Sequence, residues 1–196
     1  MITTDHIKAL REETGVSVML CRKALEEASG DFEKAKKILR RKGAEASAQA
    51  AHRTLGAGAV AAYLHHGGSI GAMVVLSCET DFVSGNEEFK ALAHDVAMHV
   101  AALSPEFIKK EDVSKEARAG VREALLREVA GKPKEMQEKI LLGKLSKYFG
   151  ERTLLEQPFV KNPEMTVGML LDSAVQKFGE RIEISRFVRF AAGNRA

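Results

Sequence analysis

No apolar stretch in this 196-residue chain approaches the length of a membrane span. The opening Met1-Ile2-Thr3-Thr4-Asp5-His6 has neither the basic region nor the apolar core of a secretory signal. Cysteine is scarce. Cys21 and Cys78 stand far apart without metal-ligand spacing, which argues against a disulfide framework and suits a reducing compartment. The expectation is a soluble, cytoplasmic protein. Net charge is only +3, with an isoelectric point near 8.8, too weak by itself to imply a nucleic-acid partner.

Catalytic and nucleotide-binding motifs are also missing. There is no Gly-x-x-x-x-Gly-Lys-Ser/Thr phosphate loop, no Gly-x-Gly-x-x-Gly and no His-Glu-x-x-His. Gly67-Gly68 is explained by a hairpin turn. His94 and His99 are five apart and diverge on a helix, reading as a surface or half-buried pair rather than a metal site. His65 and His66 alternate across a strand, so at most one faces any ligand. Ser69 and Ser84 have no obvious triad partners. Glu79 and Asp81 could pair for acid/base work, but two apart on a strand end they lack other catalytic company. The expectation is a chain that is not an enzyme and uses no metal or cofactor.

What is present is ordinary in bulk: 45% apolar and 29% charged residues, enough for one sizeable core plus a small module. Residues 1–43 read as a three-helix module. Thr3 or Thr4 caps a first helix carrying Ile7 and Leu10, and Gly15 ends it in the left-handed conformation. Ser17 caps a second, with Val18, Cys21, Leu25 and Ala28 inward. Gly30 stops it, and Asp31 caps a third with Ala35, Ile38 and Leu39 on one stripe, closed by Gly43. Three short helices bury little, so an exposed apolar face on them would serve as a docking surface. Residues 44–57 include an alanine-rich run with no large apolar residue, and read as a helical or semi-flexible linker.

Residues 58–196 read as an α+β core with a small antiparallel sheet. Two partly β-branched runs, 58–65 and 69–78, flank His66-Gly67-Gly68 as a hairpin. Phe89, Leu92, Ala93, Val96, Ala97 and Val100 recur at helical spacing before Ser104-Pro105. Ser114 caps a helix to about Ala130, and Gly131-Lys132-Pro133 breaks it. A further helix carries Met136, Ile140, Leu141 and Leu145. Leu154 to Val160 is a buried loop, Thr166 caps a helix through Phe178, and Ile182 to Ala191 is the last strand. Two basic runs need a reading. Lys36, Lys37, Arg40, Arg41 and Lys42 form the solvated face of the third helix, placed well for its dipole. Arg186-Phe187-Val188-Arg189-Phe190 alternates as a strand, with the phenylalanines in the core.

Thr80-Asp81-Phe82-Val83 is the most informative segment. It lies between a strand and a helix start, where small polar turn residues are usual. Two readings stand: Phe82 folds back and caps the core, or it stays out and inserts into a partner. The local pattern alone leans to the first.

Leu10-Arg-Glu-Glu-Thr-Gly15, then Met19-Leu-Cys-Arg-Lys-Ala-Leu25 and Gly30-Asp31, resemble the amino-terminal module of bacterial elongation factor Ts. Cys78-Glu-Thr-Asp-Phe-Val83 with Asn86 is similar to that family's core signature, and Leu154-Leu-Glu-Gln-Pro-Phe-Val-Lys161 to a third block. His65-His66-Gly67 and Ala97-Met-His-Val-Ala-Ala102 agree as well, so the resemblance runs nearly end to end. It implies a ubiquitin-associated-like three-helix module, a linker and an α+β core. The implied activity is guanine-nucleotide exchange on elongation factor Tu: binding its GDP form, expelling GDP, and leaving after GTP enters. Thr80, Asp81, Phe82 and Val83 would intrude near that partner's magnesium site, and Arg11, Val18 and Met19 would touch its GTPase domain. Leu20, Val75, Ser77 and Gly85 depart from the family's usual Asp, Glu, Asn and basic residue. Short relatives with one core copy pair through the terminal strand, some with a disulfide. Val188 stands in that region without a nearby Cys, so the implied homodimer is non-covalent. RNA binding through the basic module, and a plain protein-interaction module, are the alternative functions.

Overall fold

A computed structural model describes residues 2–129, 131 and 133–193. Its fold class is α+β, with helices and small antiparallel sheets. Two compact units emerge, Met1–Ala101 with Gly168–Ala196, and Ala102–Val167.

The first unit begins with three helices, α1 (Thr4–Thr14), α2 (Val18–Glu27) and α3 (Phe32–Ala50). Their starts follow local chemistry. Thr3 Oγ1 accepts from the His6 N–H, Ser17 Oγ from Leu20 and Asp31 Oδ1 from Lys34, each relieving an otherwise orphaned donor. Gly15, at φ 69°, ends α1 with its N–H on the Arg11 carbonyl at 2.8 Å. Leu10, Val16, Cys21, Ala24, Leu25, Ala28, Ala35 and Leu39 form the buried core of the three helices. Val18 is not among them: half of it is exposed, at 50%. Leu20 instead packs against that core from its edge.

Gly43 does not close α3, which continues to Ala50. Nor does this stretch lack a surface to dock on. Ala50 within it is buried, and just before it a Cβ added at buried Gly43 would lie 3.2 Å from the Asp172 carbonyl oxygen. Small residues let two backbones approach where a long side chain would hold them apart.

Strands β1 (Ala57–Leu64) and β2 (Ile70–Cys78) form the predicted hairpin, closed by His65 N–H on the Ile70 carbonyl at 2.8 Å. Gly67 and Gly68 both sit at positive φ, which their missing side chains permit. His65 and His66 therefore lie in the turn rather than on a strand. A last strand, β5 (Glu183–Ala191), completes an antiparallel sheet of order β1-β2-β5. One face, with Ala72, Val74, Leu76, Cys78 and Ile184, is buried. The other is apolar toward the hairpin turn, whereas further along it Arg186 lies opposite Val75 and the Ser77 and Ser185 hydroxyls hydrogen-bond at 2.6 Å. Register aligns Leu64, Gly71 and Phe190 in one row, and Ala62, Met73 and Val188 in the next. Phe190 does not take the core place its strand predicts: it is 70% exposed, because the period-two alternation puts it on the face opposite Phe187.

A short helix α4 (Asp81–Ser84) leads into α5 (Glu87–Leu103). Phe89, Ala93, Val96, Ala97 and Val100 of α5 are buried as their spacing predicts, and Phe89 meets Phe178 edge-on at 5.9 Å. His99 is fully buried rather than half-buried, while His94 lies outside and meets Tyr63.

In the second unit, α6 (Lys115–Val129) and α7 (Lys134–Gly150) form a helical hairpin. The predicted helix end at Ala130 and the breaker Lys132 lie outside the described residues. The loop expected at Leu154–Val160 is a 3-10 turn followed by β3 (Pro158–Phe159), which pairs with β4 (Asn162–Thr166). Buried Gln157 ties it together, donating from Nε2 to the Glu151 carbonyl at 2.7 Å and accepting the Val167 N–H on its own carbonyl. Helix α8 (Val167–Phe178) follows directly and precedes β5.

Candidate partner-binding site

The chain leaves β2 at Cys78 and enters α4 through Thr80, which is extended at φ −125°, ψ 157°. Thr80 Oγ1 accepts from the Val83 N–H at 3.4 Å, so Thr80 is the cap of this single turn. The turn closes through Gly85 N–H on the Asp81 carbonyl at 2.8 Å and Asn86 N–H on the Val83 carbonyl at 3.0 Å. Asn86 Oδ1 then accepts from Glu88 at 2.8 Å and starts α5. Two adjacent residues take opposite environments. Val83 is 4% exposed and anchors the turn, whereas Phe82 is 85% exposed. The reading in which Phe82 seals the core is thereby excluded. A four-residue helix places side chains about 100° apart, so burying Val83 turns its neighbour away. Asp81 stands beside Phe82 in solvent.

Residues far along the chain hold this turn, and the sequence reading missed them. Glu180 Oε2 accepts the N–H groups of Glu79 and Thr80, both at 3.1 Å, and its Oε1 accepts the Thr80 hydroxyl at 2.6 Å. In return Glu79 Oε1 accepts the Arg181 N–H at 2.6 Å and Arg53 Nη1 at 3.2 Å. The Arg181 N–H first, then Arg53, holds the Glu79 carboxyl below its ordinary range. Glu79 is thus a structural clamp and not half of an acid/base pair with Asp81. No local signal reveals this, because the partners lie about a hundred residues apart. Cys78 donates its thiol to the Thr80 carbonyl at 3.2 Å, and burial pushes its pKa up.

The three candidates on the helical module are all exposed. Val18 and Met19, at 50% and 61%, begin α2 as two exposed apolar side chains. Arg11 lines a charged cleft with Lys8, Glu12, Glu88 and Lys177. Glu88 belongs to the first turn of α5, so Arg11 comes near the helix that Phe82 precedes. The basic run of α3 is largely engaged. Lys36 pairs with Glu13 and Glu33 at 2.6 and 2.7 Å, and Lys42 and Arg41 with Glu27 at 2.7 and 3.2 Å. Arg189 donates to the Ala101 carbonyl at 3.0 Å. Among the described residues no group of three or more His, Cys, Asp or Glu could hold a metal, and no helix is long and apolar enough to cross a membrane.

The Elongation factor TS family model matches residues 23–194. A protein of Carboxydothermus hydrogenoformans named elongation factor Ts is 50% identical over 195 residues, covering 98% of this chain and 90% of the relative. Its namesakes in Heliobacterium modesticaldum and Thermosipho melanesiensis are each 45% identical over 195 residues, covering 98% of this chain and 91% and 100% of their own. The chain therefore belongs to the elongation factor Ts family and is a translation elongation factor.

Proposed function

We propose that this protein is a guanine-nucleotide exchange factor, not an enzyme, that acts on the GDP form of elongation factor Tu in the cytoplasm. The single observation that carries the reading is the exposed ring of Phe82, held on a capped and clamped turn inside the family's signature segment. Phe82 wedges into the GTPase domain, and Asp81 competes for the hydrogen bonds that order the water around the partner's magnesium. Magnesium bridges the nucleotide phosphates and offsets their charge, so loosening it speeds GDP departure. Thr80 caps the turn and Val83 anchors it. Arg11, Val18 and Met19 supply a second contact, so that residues 1–43 serve as a docking module. Coupling is reciprocal: whatever this chain takes from GDP affinity, GDP takes from its own affinity. The test is release of fluorescent GDP from elongation factor Tu, which should accelerate when the chain is added. An unchanged rate at saturating concentration refutes the reading.

The same chain pairs with a second copy through the outer face of its sheet. Val60, Leu64, Met73 and Phe190 are exposed there, and Leu64 lies over Gly71, where an added Cβ would meet its Cδ1 at 3.2 Å. An apolar sheet face of this kind is covered by a second sheet in sandwich packing. Both cysteines are buried, consistent with a non-covalent dimer. Sedimentation should give a dimer for the wild type and a monomer for Phe190→Glu. A wild-type monomer at high concentration rules the dimer out.

A further inference from the structure

The geometry points to Glu180 as the positioning residue for the Phe82-bearing turn, an inference that rests on the exchange reading above. A threonine hydroxyl has one proton to give and lone pairs to accept with, whereas an ionised carboxylate only accepts. At 2.6 Å from Glu180 Oε1, the Thr80 hydroxyl must therefore donate to it. That choice points a lone pair of Thr80 Oγ1 at the Val83 N–H and makes it the cap of α4. The second carboxylate oxygen holds the Glu79 and Thr80 N–H groups. One side chain thus fixes the turn's entry at three points, with charge-assisted bonds.

The position of Glu180 is itself fixed. Gly179, at φ 73°, ends α8 with its N–H on the Val175 carbonyl at 2.8 Å, and its own carbonyl accepts Arg53 Nη1 at 2.9 Å. On the other side the Arg181 N–H is bound by Glu79. The two segments clamp each other, backbone of one to carboxylate of the other. Phe82, being exposed, has little packing of its own to set its direction. Its aim is inherited from Val83 beneath and from Glu180 behind. A ring presented on a fixed turn loses less freedom on insertion than one on a mobile loop, which is what preorganisation contributes to binding.

A double-mutant cycle tests this. Saturating rates of stimulated GDP release are measured for the wild type, Glu180→Ala, Phe82→Ala and the double variant. Amide hydrogen exchange of residues 79–85 is followed in the free proteins. Glu180→Ala should slow release roughly tenfold when Phe82 is present and less than about twofold when it is absent, because residues that act as one unit are not additive. Exchange at the Thr80 and Val83 amides should rise. Where Phe82→Ala itself slows release, equal losses in both backgrounds, or a wild-type rate in Glu180→Ala, overturn the proposal. If Glu180→Ala does not fold, Glu180→Gln, which keeps the shape and one acceptor oxygen, enters the same cycle with the same criteria. If Phe82→Ala alone is silent, the exchange role of Phe82 fails. The amides then decide the clamp by themselves, and unchanged protection in the Glu180 variant refutes it.

Discussion

Replacing Phe82 and Val83 one at a time by alanine separates what the turn does for the fold from what it does for a partner. Phe82 is 85% exposed, so Phe82→Ala removes almost no buried surface from the free chain, and its stability should stay within about 0.5 kcal/mol of wild type. In the complex the ring would be buried. Burial of a phenylalanine is worth roughly 1.5–3 kcal/mol, and a central aromatic anchor about 2 kcal/mol or more. At about 1.4 kcal/mol per factor of ten, stimulated GDP release should fall roughly ten- to a hundredfold. Val83 presents the opposite case. It is 4% exposed, and Val83→Ala deletes two methyl groups and leaves a cavity, a loss of roughly 2–3 kcal/mol in stability. The assay pairs thermal melting of the free proteins with fluorescent-GDP release from elongation factor Tu. Wild-type release by Phe82→Ala refutes the role of the ring, and equal melting losses in the two variants refute the division of labour within the turn.

Further expectations concern the sheet, the clamp and the thiols. A Cβ added at Gly58 would sit 2.7 Å from the Leu76 carbonyl oxygen, so Gly58→Ala should destabilise by about 1–3 kcal/mol, and an unchanged urea midpoint would contradict that contact. Glu79 is held below an ordinary carboxyl value of 4.5 by the Arg181 N–H and then by Arg53. A depressed folded-state pKa contributes stability that is present above the unfolded value and lost as pH falls through the folded one. The melting gap between wild type and Glu79→Gln should therefore narrow as pH drops below about 4.5, and a constant gap disproves the clamp. Burial pushes the pKa of Cys21 and Cys78 up, so thiol reagents should label the native chain slowly and the unfolded chain at both sites. Rapid labelling at neutral pH would show that one of them is accessible.

Much of the fold was legible because its signals are local. Thr3, Ser17 and Asp31 cap helices, and Gly15 ends one, for reasons contained within four residues of each. The hairpin follows from two apolar runs around a glycine pair, and α5 from its spacing. The alanine-rich stretch after Gly43 was harder to read. Absence of large apolar side chains suggests a segment with nothing to bury, yet small residues also bury themselves by close approach, as Ala50 does within it and Gly43, against Asp172, just before it. Phe190 shows a similar ambiguity. Alternation fixes which residues share a face of a strand, but both faces of this sheet carry large apolar residues, so the pattern does not say which one points inward.

By itself, then, the amino-acid order determined the starts of the first three helices, the hairpin and the membership of a recognisable family, since each depends on neighbours in the chain or on motifs that can be matched residue by residue. Only the tertiary structure decided that Phe82 faces solvent while Val83 does not, and that Glu180 and Arg181 grip the turn between them. Those outcomes depend on hydrogen bonds between groups a hundred positions apart, whose meeting requires that β5 already lie beside β2.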